Sequence, residues 1–400
     1  MKIKIILSFF IVLGLTFGLL TGCNDEPTSL GSNLLKDSDL INLRVIDSDT
    51  TSGFVQKYST FRDSILTGSS TRILLGKIGN LESKVLIKFF IPVLDSIATA
   101  VKNNEVNVVD SWIELTPNYS IGDTSVPLRF TAHVINSKWS SNKFNSDSLA
   151  DLDYDQTDVT NGFYDTDSTI SFHISTTVAM DWLKRRVDSN LNDDNGLLLI
   201  PTSDNIVLGF QAITQFPQSV YPTLKIVVEK VGSFTDTLSA TPTRDIHIVS
   251  GETPVNTGQS IILEDGIANR AKVWIDFSSI PKFSIINKAT LTFKIDKDNS
   301  LEGSVKSDTL NLFFYNDSAS NKIAPTNEIG KVNLIRNNTD GTYSGDISGF
   351  VQRWVDGRKN QGFRLNLSDE NRALSKVALF DNRAPKEKQP HLLIYITERN

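Results

Sequence analysis

This sequence has little from which to build chemistry. Of its 400 residues one is cysteine and four are histidine, which excludes a zinc ribbon, an iron–sulfur protein and a disulfide scaffold. Positive charge is also scarce. Lys and Arg number 40 against 46 Asp and Glu, a net charge of −6. The concentrated basic surface that phosphate binding needs is missing, so nucleic acid is not an expected partner. There is no Gly-x-Ser-x-Gly elbow, no phosphate-cradling glycine loop and no His-Glu-x-x-His pattern. His133, His173, His247 and His391 stand alone in strand-like or turn contexts, and none makes a convincing general base. What remains, 22% charged and 39% hydrophobic, is the composition of a folded chain with one or more real cores.

The one long apolar run is at the N-terminus. Lys2 and Lys4 precede the stretch Ile5 to Leu20, and Leu20-Thr21-Gly22-Cys23 follows. At ~1.5 Å per residue this stretch reaches about 24 Å, short of the ~30 Å hydrocarbon core, so residues 1–22 read as a cleaved signal peptide before a lipobox. The motif resembles that of bacterial lipoproteins and implies lipidation at Cys23, with the membrane engaged through that anchor. The acidic tract Asn24-Asp25-Glu26 resembles the surface-export signal of Bacteroidota lipoproteins, which implies an outer-membrane protein exposed at the cell surface. Residues 23–42, with Pro27, Gly31 and many Ser, Asn and Asp, read as a flexible tether.

Beyond the tether, apolar residues alternate with period two over short runs bounded by Gly, Pro, Asn, Asp and Ser, the signature of strands. One order of elements occurs twice. The strand from Lys84 to Pro92 is echoed by the strand from Lys272 to Pro281, and Val109 to Leu115 by Asn287 to Phe293. Phe172-His173-Ile174-Ser175 leads into a short amphipathic stretch holding Val178, Trp182 and Leu183. Its counterpart runs from Asp346-Ile347-Ser348 into Phe350, Val351, Trp354 and Val355, where Asp346 or Ser348 can cap a helix and Gly357 can close it. Asn195-Gly196 and Gln361-Gly362 each feed a strand, and Tyr221-Pro222 and Gln389-Pro390 each open a closing strand. The expected fold is all-β: two tandem jelly-roll-type β-sandwiches, each with one short helix, over residues 43–230 and 245–400, joined by a linker at 231–244.

The order of these pieces resembles the DNRLRE-type β-sandwich, a family close to a class of carbohydrate-binding modules. The residues that carry the resemblance are "KVWIDFSSIP" from Lys272, "DISGFVQRWVDG" from Asp346, "QGFRLNL" from Gln361 and "FDNRAPKEKQPHLLIYI" from Phe380. In the first copy they are "FHIS", Trp182, "NGLLLIP" and the closing strand. The opening "CNDEPTSLGSNLL" and "FRDSILTGSSTRILLGK" from Phe61 also resemble Bacteroidota lipoproteins of unassigned function. No catalytic residue travels with these motifs, and carbohydrate binding is what the first resemblance implies as a class.

Candidate ligand-binding residues are aromatics, because a flat apolar ring stacks on the CH face of a pyranose while polar neighbours bond its hydroxyls. Trp182 and Trp354 belong to buried helix faces, and Trp112 and Trp274 lie within alternating strands, so all four are expected in the cores. Trp139, in a polar segment, and Tyr154, Phe163 and Tyr164, in an acidic insertion, are the candidates for exposure. Asp151, Asp153, Asp155 and Asp158 of that insertion are the candidate metal ligands. Calcium is the cofactor such oxygens could hold, yet no glycine sits at the tight-turn position and no bidentate Glu follows at EF-hand distance, so a solvated loop is favoured and no cofactor is expected. The loop Asp188 to Gly196 fails the same test. The expected function is non-catalytic binding or adhesion to extracellular polysaccharide. A structural or assembly lipoprotein that contacts envelope proteins is the alternative, and a glycan hydrolase or lyase with loop-borne carboxylates is third.

Overall fold

The computed structural model describes residues 42–50, 56–217, 220–254 and 258–398. Cys23, the signal segment 1–22 and the tether up to residue 41 lie outside the described residues. Strands hold 47% of the chain and helices 12%, in two large antiparallel sheets, so the fold is an all-β sandwich of jelly-roll-like form. No helix among the described residues is long and apolar enough to cross a membrane.

The first sheet contains β3 (Arg72–Ile78), β4 (Leu81–Phe90), β5 (Asn107–Leu115), β6 (Pro117–Gly122), β7 (Phe130–Val134), β8 (Thr160–Asp165), β9 (Ile170–Ile174), β10 (Leu197–Pro201), β11 (Ile206–Gln211), β12 (Thr223–Lys230) and β13 (Phe234–Ser250). The second contains β1 (Asn42–Asp47), β2 (Gln56–Arg62), β14 (Ser260–Glu264), β15 (Asn269–Ile275), β16 (Ile285–Lys294), β17 (Thr309–Asp317), β18 (Lys322–Ile323), β19 (Lys331–Asn337), β20 (Thr342–Asp346), β21 (Phe363–Leu367), β22 (Lys376–Phe380) and β23 (His391–Glu398). Each folds over on itself around its own core, one centred on Phe130, Phe172 and Trp182, the other on Phe293, Phe314 and Phe350.

The segment expected as an open linker, 231–244, is mostly strand. The first half of β13, to Ala240, pairs with β12, and from Thr241 onward the second half pairs with β4, with a register shift between Pro242 and Arg244, so one 17-residue strand passes between the two layers of the first sandwich. The second sandwich gets the same two partners from far away in sequence. β1 pairs with the closing strand β23, and β2 pairs with β15. Strands β1 and β2 therefore belong to the second sandwich, although the expected boundary put residues 43–230 in the first, and Ile46 is buried in the second core. Strand pairing, which is long-range, overrode chain order.

The helix count also departs from one per sandwich. The first sandwich carries α1 (Asp95–Lys102), α2 (Ser146–Ala150) and α3 (Thr176–Val187), because its longer loops had room to coil, and the second carries α4 (Ser348–Val355). The helix α4 forms where its sequence predicts, but with Ile347 at the N-cap position and Asp346 just before it. Asp346 Oδ1 accepts the Ser348 amide at 2.8 Å, occupying a donor with no partner inside the helix, and Gly357 closes the other end at φ +99°, a left-handed turn that glycine adopts without strain. Between them Phe350, Val351, Trp354 and Val355 are buried, and the Trp354 ring stacks on Phe277 at 5.0 Å and on Phe314 at 5.2 Å.

A third apolar cluster joins the two sandwiches. Leu74, Tyr119, Ile121 and Val207 of the first meet Ile267, Ala373 and Leu374 of the second. Polar contacts cross the same seam. The Leu374 amide donates to the Tyr119 hydroxyl at 3.2 Å, Arg72 Nη1 to the Arg372 carbonyl at 2.8 Å, and the Ser304 amide to the Ser120 carbonyl at 2.7 Å.

Candidate functional site

Two of the four candidate aromatics turn out to be packing residues, and a third is half-buried. Trp139 is 5% exposed, with its indole N–H donating to the Asn195 carbonyl at 2.8 Å and its ring edge-on to Phe144 at 6.4 Å. Together with Leu152 and Ile135 these side chains seal the outward face of Leu86, Leu198, Ile246 and Ile248, so the polar insertion is a cover over β4, β10 and β13. Half-buried Tyr154 packs on His133 in the same cover, at 5.6 Å. Phe163 faces the core, 5.0 Å from Phe130, under the guanidinium of Arg129.

The four candidate metal ligands serve turns in the same insertion. Asp151 ends α2. Asp153 accepts weakly from Asn136 at 3.5 Å. Asp155 accepts the Thr157 amide at 2.9 Å, and Asp158 accepts the amides of Ala132 and Thr160, both at 3.0 Å. The one group of metal-ligating side chains brought together among the described residues is elsewhere, where Asp47, Asp49 and His391 meet at the end of β1. There His391 Nε2 lies 2.9 Å from Asp47 and 3.8 Å from Asp49, and the Asp49 amide, with His391, holds the Asp47 carboxyl below its usual range.

Only Tyr164 stands out, 62% exposed, and it is not alone. On β5, Ser111, Ile113 and Leu115 are buried, and the alternation turns Asp110, Trp112 and Glu114 to the outer face. On β9 the same alternation turns His173 outward, directly opposite Trp112. At the sheet edge β8 places Tyr164 beside it. The result is a line of three rings. Tyr164 meets His173 edge-on at 4.6 Å between centroids, and His173 stacks on Trp112 at 5.8 Å with 22° between planes.

Polar groups hold this line in place. His173 Nδ1 lies 2.8 Å from Asp110 Oδ1, the Trp112 indole donates to Glu114 Oε1 at 2.9 Å, and on the neighbouring β12 Lys225, opposite Trp112, donates to Ser239 at 2.8 Å. Asp110 keeps 45% of its side chain in solvent and His173 22%, so acceptors and a ring nitrogen border the rings at the surface. Trp112 was expected in the core. Its neighbours of the same parity, Asp110 and Glu114, were the signal that placed it outside.

A smaller relative of this arrangement occurs on the second sandwich. Trp274 is half-exposed on β15, with Lys57 Nζ of β2 over its ring at 5.1 Å and its indole donating to the Asn360 carbonyl at 3.3 Å. A cavity of about 470 Å³ beside it is lined by Lys57, Lys272, Trp274, Ser318, Asn360 and Gln361. Trp182 and Trp354, at 2% and 7% exposure, are in the cores as expected.

No family model matches the chain, and no curated protein matches it. Among solved structures, a chain from "Structure of the Macrobrachium rosenbergii Nodavirus" is similar at 9% identity over 92% of this chain and 93% of that one, with a TM-score of 0.13, and carries no argument about fold or function.

Proposed function

We propose that this protein is a lipid-anchored component of the outer cell surface that binds extracellular polysaccharide without modifying it. The observation that carries the reading is the row of Tyr164, His173 and Trp112, which runs inward from a sheet edge on the outer face, Tyr164 exposed and the other two partly so, bordered by Asp110 and Glu114. Stacked rings give a sugar its apolar contact, and fixed acceptors at their edges take its hydroxyls. A row of three rings across three neighbouring strands suits successive units of a chain better than a single sugar. The anchor rests on the Leu20-Thr21-Gly22-Cys23 motif.

A glycan array and a polysaccharide pulldown of the full chain test this, with Trp112→Ala and Tyr164→Ala as the variants. Loss of a stacking contact worth about 1–1.5 kcal/mol weakens binding about tenfold, so retention should fall by that factor in each. Retention of no glycan by the wild type, or undiminished retention by both variants, would remove the reading. Cys23→Ser should move the protein out of the membrane fraction.

A second reading, a structural lipoprotein that docks envelope proteins, is favoured by a different surface. The outer face of β1, β23 and β16 exposes Leu43 (77%), Val45 (55%), Tyr395 (40%) and Ile285 (40%) side by side. Crosslinking in intact cells separates the two readings, since a dedicated envelope partner lost on Val45→Asp belongs to the second alone.

A further inference from the structure

We infer that the row of Tyr164, His173 and Trp112 selects glycans that carry free amino groups, such as a polymer of unacetylated hexosamine. This rests on the polysaccharide reading above and names the ligand class of that same site. What points to an amine is the state of the two carboxylates beside the rings. Asp110 Oδ1 accepts the Ser111 amide at 2.8 Å and lies 2.8 Å from His173 Nδ1, while Glu114 Oε1 accepts the Trp112 indole at 2.9 Å. Each carboxylate thus commits one oxygen to holding a ring. Among the described residues the other oxygen of each, Asp110 Oδ2 and Glu114 Oε2, takes neither a hydrogen bond nor an ion pair.

Their placement brings these oxygens to the ligand. Asp110 and Glu114 stand two residues to either side of Trp112 on β5 and share its outer face, so each is ~7 Å from it along the strand. The row runs across the strands, from β8 through β9 to β5, so a glycan lying on it passes between the two carboxylates. The ammonium in line with the row, that of Lys225 on β12, donates to Ser239 of β13 at 2.8 Å, on the side of β12 away from Trp112. An amine on the glycan would find aromatic faces, which attract cations through their quadrupole, and charge-assisted acceptors on both sides. The N-acetylated sugar keeps the same CH face but has no charge to place there. A uronate or a sulfated sugar would bring its own anion against Asp110 and Glu114.

The test is calorimetric titration of the full chain, at neutral pH and low salt, with glucosamine oligomers and with N-acetylglucosamine oligomers of the same length, beside alginate and polylysine. The wild type should hold the amine form about tenfold more tightly than the acetylated form, lose that excess as NaCl is raised, and leave alginate unbound. Asp110→Asn and Glu114→Gln preserve the shape and the acceptor that hold each ring and remove only charge. Each should cut the ratio of the two affinities several-fold, and the double variant should bring it to about one. Trp112→Ala should weaken the amine form as well. If the wild type binds glycans but holds the acetylated form as tightly, or if the ratio survives in the double variant, the amine assignment is overturned and the polysaccharide reading stands. Polylysine held as tightly as the amine oligomer, with no loss in Trp112→Ala, overturns it too, since charge alone would then account for binding. Binding of no glycan at all removes both.

Discussion

Leu374 is where the two sandwiches depend on each other most directly. It is 1% exposed in the cluster that joins them, and its amide is held by Tyr119 from across the seam. Leu374→Ala removes three carbons. At ~0.8 kcal/mol each, plus the cavity they leave, the cost is about 3–4 kcal/mol. Differential scanning calorimetry converts this into a distinction between two kinds of unfolding. Unfolding entropy scales as ~2.1 cal/mol/K per residue, so the loss lowers Tm by about 5 °C if the chain melts as one unit and by about 10 °C if one sandwich melts alone. The surroundings supply an internal check. A Cβ on Gly266 would lie 2.2 Å from Leu374 Cδ2, at a backbone φ of +74°. Gly266→Ala should therefore destabilise by itself, and the double variant should cost less than the two single changes added, because the shortened residue 374 vacates the contested space. A Tm within 1 °C of wild type for Leu374→Ala, or strict additivity in the double variant, would refute the account of this seam.

The remaining expectations concern single groups. Burial pushes the Glu264 carboxyl up to about 7 against the partial relief of Lys376 and Arg62, so the folded chain holds that proton more tightly than the unfolded chain, where the value is 4.5. Stability contributed by the protonated form is thus present below about 4.5 and is lost as pH rises to about 7, on the order of 2–3 kcal/mol, and Glu264→Gln should flatten that stretch of the urea-stability profile. Asp346→Ala removes the acceptor at the start of α4 and should cost about 1 kcal/mol in urea denaturation. Ile46→Ala should cost about 2–4 kcal/mol. Hydrogen exchange should show the lost protection in β23 and β16 rather than in β5, because Ile46 packs in the second core.

Local rules were legible where neighbours in sequence are also neighbours in space. The Asp346 acceptor just ahead of α4, the closure at Gly357 and the buried spacing of Phe350, Val351, Trp354 and Val355 are all contacts within about ten residues, although Ile347 rather than Asp346 or Ser348 takes the N-cap position. The alternation of Ser111, Trp112, Ile113, Glu114 and Leu115 holds too, and parity, more than residue type, decides which side chains it buries. Tryptophan suggested core, whereas Asp110 and Glu114 on the same side of the strand had already assigned that side to water. The opposite error befell Trp139, whose polar sequence neighbours suggested exposure and whose real neighbours, Phe144 and Asn195, come from a fold-back of the chain. Asp151, Asp153, Asp155 and Asp158 look like a ligand set when written in a row, but Asp151 ends a helix, and the turns of the other three point their carboxylates at backbone amides and nearby side chains.

The sequence by itself determined the all-β class, the repeated order of strands and the ends of α4, because these follow from side-chain period, turn residues and capping over short spans. Only the tertiary structure decided which strands complete which sandwich. The partners of β23 and β15 are β1 and β2, about two hundred residues or more before them, and the equivalent partners of β4 and β12 come from β13, after them. Backbone hydrogen bonds carry no side-chain signature of the strand they will meet, so no local pattern could announce that exchange. The row of Trp112, His173 and Tyr164 likewise depends on strand pairing, here of β5 with the distant β9 and of β9 with β8. It brings together residues from three separate strands, and their pairing is what sets them side by side.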